Sequence, residues 1–349
     1  MKGGAAGRAT ARRPPLRLSP RQQSAAHLPL PVAPRGREAY HPVCPQGRFD
    51  THNAVGGSGF GSSVMTACVW SPRSVLRFGR SLGTACATAR VVTDAGRAYL
   101  KPPLPQAVQS ELACEWIAAQ LATWFELPTC EWAVLPVDAE LDRIPLPNGQ
   151  PAPSGLAFVT RELPGHPWGG AVESLEAAEN SEIVTSLVVF DTWLRNIGRF
   201  PPAGTSGRPG YDRLLLAKGG IPGVARLVLL DQSQAFRPAG QPLDTTACDL
   251  FQSRDPQVYG LFPAFRRLVR QDDLAKSLER LTQFQAHTAR DLLRALPESW
   301  GVAPETGEVL GQFLAERAAW LAETLPTRLA RICWPGKLFD PDPYMKRRS

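Results

Sequence analysis

Three side chains stand out for what their type and place would let them do. Lys101 ends the run Gly96-Arg97-Ala98-Tyr99-Leu100-Lys101 and is followed by Pro102. Only five lysines (101, 218, 276, 337 and 346) occur after residue 64, in a chain that otherwise uses arginine. A lysine between apolar neighbours is a compact charge suited to phosphate oxygens, although a strand-end lysine more commonly reaches solvent. Glu115 lies among apolar neighbours in the next long periodic stretch, where it can pair with that lysine. Glu111, one turn earlier, can serve instead, and either glutamate taken alone reads as a solvated one. Asp231 follows Leu227-Val228-Leu229-Leu230, where an apolar strand ends. A carboxylate at such a strand end suits a magnesium ion held against phosphates, although turn and cap aspartates are common there.

These residues need elements to position them. Ser74–Arg80 and Thr84–Thr93 read as strands, and Asp94-Ala95-Gly96 turns the chain into Ala98–Lys101, giving an antiparallel hairpin. A helix is expected over Val108–Glu126, with Val108, Leu112, Trp116, Leu121 and Phe125 near one stripe and Pro128 as its stop. Glu131–Val137 and Leu156–Leu163 read as strands around a polar, proline-bearing loop. Ser181–Arg195 is an amphipathic helix, and Phe200–Gly210 is loop. Arg213–Ala217 and Ala225–Asp231 are short strands. Beyond Asp244 the chain reads as helical, most clearly over Pro263–Arg270, Asp272–Leu296 and Glu305–Leu325. Strands first and helices later is α+β segregation, and a bilobal arrangement with a cleft follows from it. The expected divisions are a basic Pro/Gly-rich extension over 1–64, an N-terminal lobe over 65–163, a C-terminal lobe over 164–335 and a flexible tail over 336–349.

Composition narrows the function classes. The 349 residues are 43% hydrophobic and 20% charged, ordinary for a globular chain, and no apolar run has the ~18 residues of a membrane span. Residues 1–64 carry Lys2 and eight arginines against Glu38 and Asp50, which accounts for the whole formal charge of +7. The remainder is balanced, so the basic pI gives a folded core no reason to bind nucleic acid. The same 64 residues hold eight prolines and nine glycines, which argues against ordering, and Met65 opens the first structured stretch. Seven scattered cysteines without a C-x-x-C pair point away from a disulfide framework or zinc site and toward a reducing, cytoplasmic compartment.

Strand lysine, helix glutamate, strand, helix, polar loop, two short strands and aspartate together follow the order of a protein-kinase-like fold. The chain resembles the HipA-like kinase family over roughly residues 75–325. GRAYLK resembles its nucleotide-lysine strand, ELACEWIAAQLATWFELP its first-lobe helix, VVFDTWLRN the helix entering its catalytic loop, and RLVLLDQSQAF its metal-binding aspartate segment. The resemblance implies ATP and Mg2+ as cofactors and phosphoryl transfer to a serine or threonine of a protein not identifiable from sequence. Some relatives are the toxin half of toxin–antitoxin pairs. It implies Lys101 and Glu115 for nucleotide binding, Asp231 and Asp212 for metal, and Asn196 and Arg199 in the catalytic loop. Gly83 and Thr84 lie where a phosphate loop would sit, in a Gly-bearing turn of a common kind.

The departures bear on activity. The family loop N-x-D-R stands here as Asn196-Ile197-Gly198-Arg199, so the aspartate that accepts the substrate proton is a glycine. Loss of a general base typically costs ~10²–10⁴-fold. Asp191, at the preceding helix end, is the candidate substitute. The family's metal-binding asparagine falls in the region of Tyr211-Asp212-Arg213, and Gln232-Ser233 follows the aspartate where a glycine is usual. Three functions compete: a kinase that still transfers phosphate, a pseudokinase that binds nucleotide or a partner without catalysis, and a helical scaffold or antitoxin-like partner. His166 and His287 have no partner at metal spacing and are given no role.

Overall fold

The computed structural model describes residues 70–335, apart from 85, 105–109, 203, 206, 237–241 and 245–252. The extension expected over 1–64, the opening of structure expected at Met65 and the tail over 336–349 lie outside the described residues.

The first half is built on an antiparallel sheet of order β1-β2-β3-β5-β4. Its strands are β1 (Val75–Ser81), β2 (Ala89–Thr93), β3 (Gly96–Lys101), β4 (Trp132–Val137) and β5 (Gly155–Arg161). Thr93 pairs with Gly96 across a two-residue turn, and the Thr93 hydroxyl donates to the Gly96 carbonyl at 2.8 Å. Alternation assigns the two faces. Val91, Ala98, Leu100, Leu135, Ala157 and Val159 pack on one side with Trp70, whereas Trp132, Val134 and Phe158 join the main core on the other. Lys101 follows Leu100 and pairs in register with Phe158, so its side chain belongs to the second face.

Helix α1 (Ser110–Trp124) covers that face. Every residue from Ser110 to Ala122 is buried, the mark of a helix enclosed on all sides. Two carboxylates one turn apart, Glu111 and Glu115, are thereby taken into the interior, and each requires a partner there.

The second half carries a small antiparallel sheet, β6 (Gly165–Pro167), β7 (Leu214–Lys218) and β8 (Ala225–Leu229), and helices α2 (Val172–Glu176), α3 (Ile183–Leu194), α4 (Gln271–Thr282), α5 (Ala286–Arg294) and α6 (Pro304–Cys333). Trp193 of α3 meets Phe284 at a ring-centroid distance of 4.7 Å and Trp124 of α1 at 5.9 Å, so α1 and α3 share one aromatic core. Pro128 accepts from the Leu229 amide at 2.8 Å, which fixes the end of β8 against the segment leaving α1.

Several expected elements differ. The helix expected over Asp272–Leu296 is two, α4 and α5, because the chain turns at Gln283–Gln285 and sends Phe284 into the Trp124–Trp193 cluster. The helix expected to stop before Pro326 continues to Cys333. Proline costs one backbone bond there, but Leu325, Leu329 and Ala330 keep the apolar face buried on both sides of it. Pro263–Arg270 contains only a 3-10 turn over Pro263–Arg267, and the strand expected from Thr84 begins at Ala89, with Thr84, Cys86, Ala87 and Thr88 outside it. Strand β6 and helix α2, in a Pro/Gly-rich stretch, were not expected.

Candidate functional site

The ends of β3 and β8 and the middle of α1 converge. Lys101 Nζ lies 2.9 Å from Glu115 Oε2 and 2.6 Å from Asp231 Oδ1. Of the two α1 glutamates, Lys101 meets Glu115, while Glu111 accepts the Cys86 thiol hydrogen at 2.7 Å. The lysine and Glu115 are buried, and the Asp231 side chain is 32% exposed at the cleft. Burial alone would lower the Lys101 pKa, but the charges of Asp231 and Glu115 outweigh it and hold the ammonium above its ordinary range. Burial would likewise raise Asp231, yet Lys101 and Arg213 hold that carboxyl well below the usual carboxylate range. Glu115 is shifted upward by burial, against the pull of Lys101.

A second layer ties this triad to the loop after α3. Glu115 Oε2 accepts the Gln232 amide at 2.8 Å. The Gln232 side-chain oxygen then accepts from Asn196 Nδ2 at 2.9 Å and from Arg199 Nη2 at 2.8 Å. Arg199 is fully buried, and besides Gln232 it donates to Asp191 Oδ2 at 2.7 Å and to the Arg213 carbonyl at 2.6 Å. Asn196 Nδ2 also reaches Asp191 Oδ1 at 3.0 Å, while its own oxygen accepts the Gly198 amide at 3.1 Å. Asp191 therefore has both oxygens engaged and no exposed surface. A base must come within hydrogen-bond reach of the proton it takes, and this carboxylate faces the interior. Asn196, Arg199 and Asp191 form one buried strut that shapes the loop.

At Gly198 the backbone is outside the left-handed region, so the conformation does not demand glycine, but the space does. A β-carbon there would collide with Arg213 Nη1, and it would lie 2.8 Å from Arg213 Cζ and 2.9 Å from Gln234 Oε1. The Arg213 guanidinium thus fills the room in which a side chain at 198 would begin. Its Nε lies 3.3 Å from Asp231 Oδ2. Its Nη1 is buried with no hydrogen-bond partner among the described residues.

Divalent-metal binding at this point is at odds with that arrangement. Asp231 Oδ1 already takes Lys101 and the Ser233 hydroxyl (2.8 Å), and Oδ2 faces a guanidinium. Asp212, expected as the second ligand, is exposed on a 3-10 turn, and it is its neighbour Arg213 whose side chain reaches Asp231. Among the described residues no group of three or more His, Cys, Asp or Glu converges as a metal site.

Gly83 and Thr84 are both exposed. The Thr84 hydroxyl is engaged within its own turn, donating to Thr88 Oγ1 at 2.7 Å and accepting the Thr88 amide at 2.9 Å. Instead it is Cys86, in the same turn, that is buried beside the triad, and burial pushes its thiol up to about 12. Sequence reasoning missed Cys86, Arg213 and the junction role of Gln232. Arg213 gave one signal, a basic residue directly before the apolar strand, and Cys86 and Gln232 gave none.

A strand lysine clasped by a helix glutamate and facing a strand-end aspartate across two α+β halves defines a kinase-like protein. More particularly, the model of the family described as HipA-like kinase matches residues 92–321, and the chain belongs to that family. Membership implies nucleotide and metal use in general terms. Among solved structures, the Helicobacter pylori proinflammatory kinase CtkA aligns with a TM-score of 0.45 at 11% identity, covering 73% of this chain and 95% of that one. The kinase domain of Mycobacterium tuberculosis PknI, crystallised as a double mutant, aligns with a TM-score of 0.23 at 17% identity, covering 72% and 99%. No curated protein sequence matches the chain. No helix among the described residues is long and apolar enough to cross a membrane.

Proposed function

We propose that this chain is a pseudokinase of the HipA-like family, which binds ATP between an N-terminal lobe (65–163) and a C-terminal lobe (164–335) and transfers no phosphate at a useful rate. The observation that carries this reading is Gly198, with the Arg213 guanidinium standing where a catalytic side chain would project. A kinase loop without its carboxylate keeps positioning but lacks a group to accept and orient the substrate hydroxyl. The buried triad supports nucleotide binding: Lys101 is held by Glu115 as a phosphate-contacting lysine requires. Among the described residues Cys86, Cys130 and Cys333 are free thiols, which suits a cytoplasmic protein.

The same Lys101–Glu115 pair favours a second reading, a slow kinase acting on a serine or threonine of a protein substrate. Transfer of labelled γ-phosphate from ATP by the full chain, with Asp231→Ala as control, separates the two. Bound ATP without transfer is the expected result. Transfer by the parent chain and not by the control would overturn the pseudokinase reading.

A further inference from the structure

Within the nucleotide-binding reading, on which this inference rests, Arg213 is the residue left without a role. It arrives on the 3-10 turn before β7, and its backbone carbonyl is already held by buried Arg199, so its position is fixed from behind. One edge of its guanidinium faces Asp231 Oδ2, at 3.3 Å from Nε. Its Nη1 lies over Gly198, buried, and has no acceptor among the described residues. A buried charged donor without an acceptor is costly to leave so, and an incoming anion would supply the missing partner.

From this geometry we infer that Arg213 is a built-in substitute for the divalent metal, so that the polyphosphate tail of a nucleotide binds here without Mg2+. A carboxylate oxygen that faces a guanidinium cannot also bind a divalent ion at ~2.1 Å while both cations stay in place, since they compete for the same lone pairs and repel each other. Lys101 and Arg213 then stand on either side of Asp231, two cations around one carboxylate. Planar guanidinium nitrogens are suited to phosphate oxygens, and a swing of the Arg213 side chain away from Gly198 would carry its acceptor-free Nη1 to a terminal phosphate beside Asp231. The absence of a side chain at 198 is part of the same device, because any β-carbon there would displace this guanidinium.

The test is ATP binding to the full chain by calorimetry, in EDTA and in excess Mg2+, for the parent, Arg213→Ala and Arg213→Lys. The parent is expected to bind in EDTA with an affinity within about threefold of that in Mg2+. Arg213→Ala should lose about tenfold or more in EDTA and recover part of it with Mg2+, the size of one charge-assisted hydrogen bond. Arg213→Lys, which keeps charge without the fork, should fall between. Binding by the parent that vanishes in EDTA and returns with Mg2+ would overturn the metal substitution while leaving the nucleotide reading standing. No binding in either buffer would overturn both. The parent comparison needs no variant, so a poorly folded substitution does not weaken it.

Discussion

Restoring the missing carboxylate at 198 is the substitution that probes the site most sharply. In Gly198→Asp the new β-carbon meets the far end of a flexible side chain, so Arg213 has to swing aside. It gives up a partly exposed pair with Asp231, a contact of ~1 kcal/mol or less, and gains the new carboxylate as partner. The melting temperature should therefore move by less than ~3 °C. The new aspartate does not become a base. Beside an arginine a carboxylate pKa drops by ~1–3 units, and its oxygens stay turned to the guanidinium instead of to a substrate hydroxyl. The single variant should raise phosphate transfer less than ~10-fold. Combining it with Arg213→Ala frees both the introduced carboxylate and the Asp231 oxygen, and transfer in Mg2+ should then rise by the ~10²–10⁴ typical of a general base. The assay is labelled phosphate transfer to protein, alongside a melting curve for each variant. A hundredfold gain from Gly198→Asp alone, with nothing added by Arg213→Ala, would refute the idea that Arg213 holds the base's place. So would an inert double variant that still binds ATP.

Further outcomes follow from the same geometry. Lys101→Ala should abolish nucleotide binding and also destabilise, because it leaves Glu115 buried without its cation; a loss of about 3 kcal/mol, or ~6–12 °C in melting temperature, is expected, and an unchanged melt would refute the buried triad. Gly260 has φ +70 and approaches the side chain of Asp191, with its would-be β-carbon 2.6 Å from Asp191 Cβ, so Gly260→Ala should cost ~2 kcal/mol or more in urea unfolding. Asp231, held below its unfolded value, contributes stability that is complete above about pH 5 and fades as pH falls toward its native value; Asp231→Asn should flatten this part of the stability curve between pH 5 and pH 2, and an unaltered slope would count against the pair. With its pKa near 12, Cys86 has about one thiolate in ten thousand at pH 8, so its alkylation, followed by peptide mass spectrometry, should be far slower than that of a small thiol until the protein is unfolded.

Much of the molecule was legible in the order of its residues. The alternation that ends in Leu100-Lys101, the long apolar stretch around Glu115 and the strand that runs into Asp231 each report on one element alone. Periods of two and of 3.6 are local properties, so they reveal themselves without any knowledge of neighbours. The glycine in Asn196-Ile197-Gly198-Arg199 is equally plain, and with it the absence of the carboxylate. Local signals failed where packing overrode them: Phe284 breaks a continuous helical pattern to join the Trp124–Trp193 cluster, and the buried face around Leu325 and Leu329 carries α6 through Pro326.

Partners drawn from different elements are another matter. Spacing allowed Glu111 or Glu115 to meet Lys101, and only the docking of α1 on the sheet decided for Glu115 and gave Glu111 to Cys86. Asp191 and Arg199 look like catalytic groups beside the loop, yet enclosure on every side makes them a strut. Asp212 and Arg213 are adjacent in the chain, and the turn before β7 exposes the first and sends the second to Asp231. The sequence thus determined the elements, the charged residues they carry and the glycine at 198. The tertiary structure decided which charges meet and which are sealed from solvent, because those contacts join residues far apart in the chain, 130 positions for Lys101 and Asp231, and no periodicity along the chain encodes them.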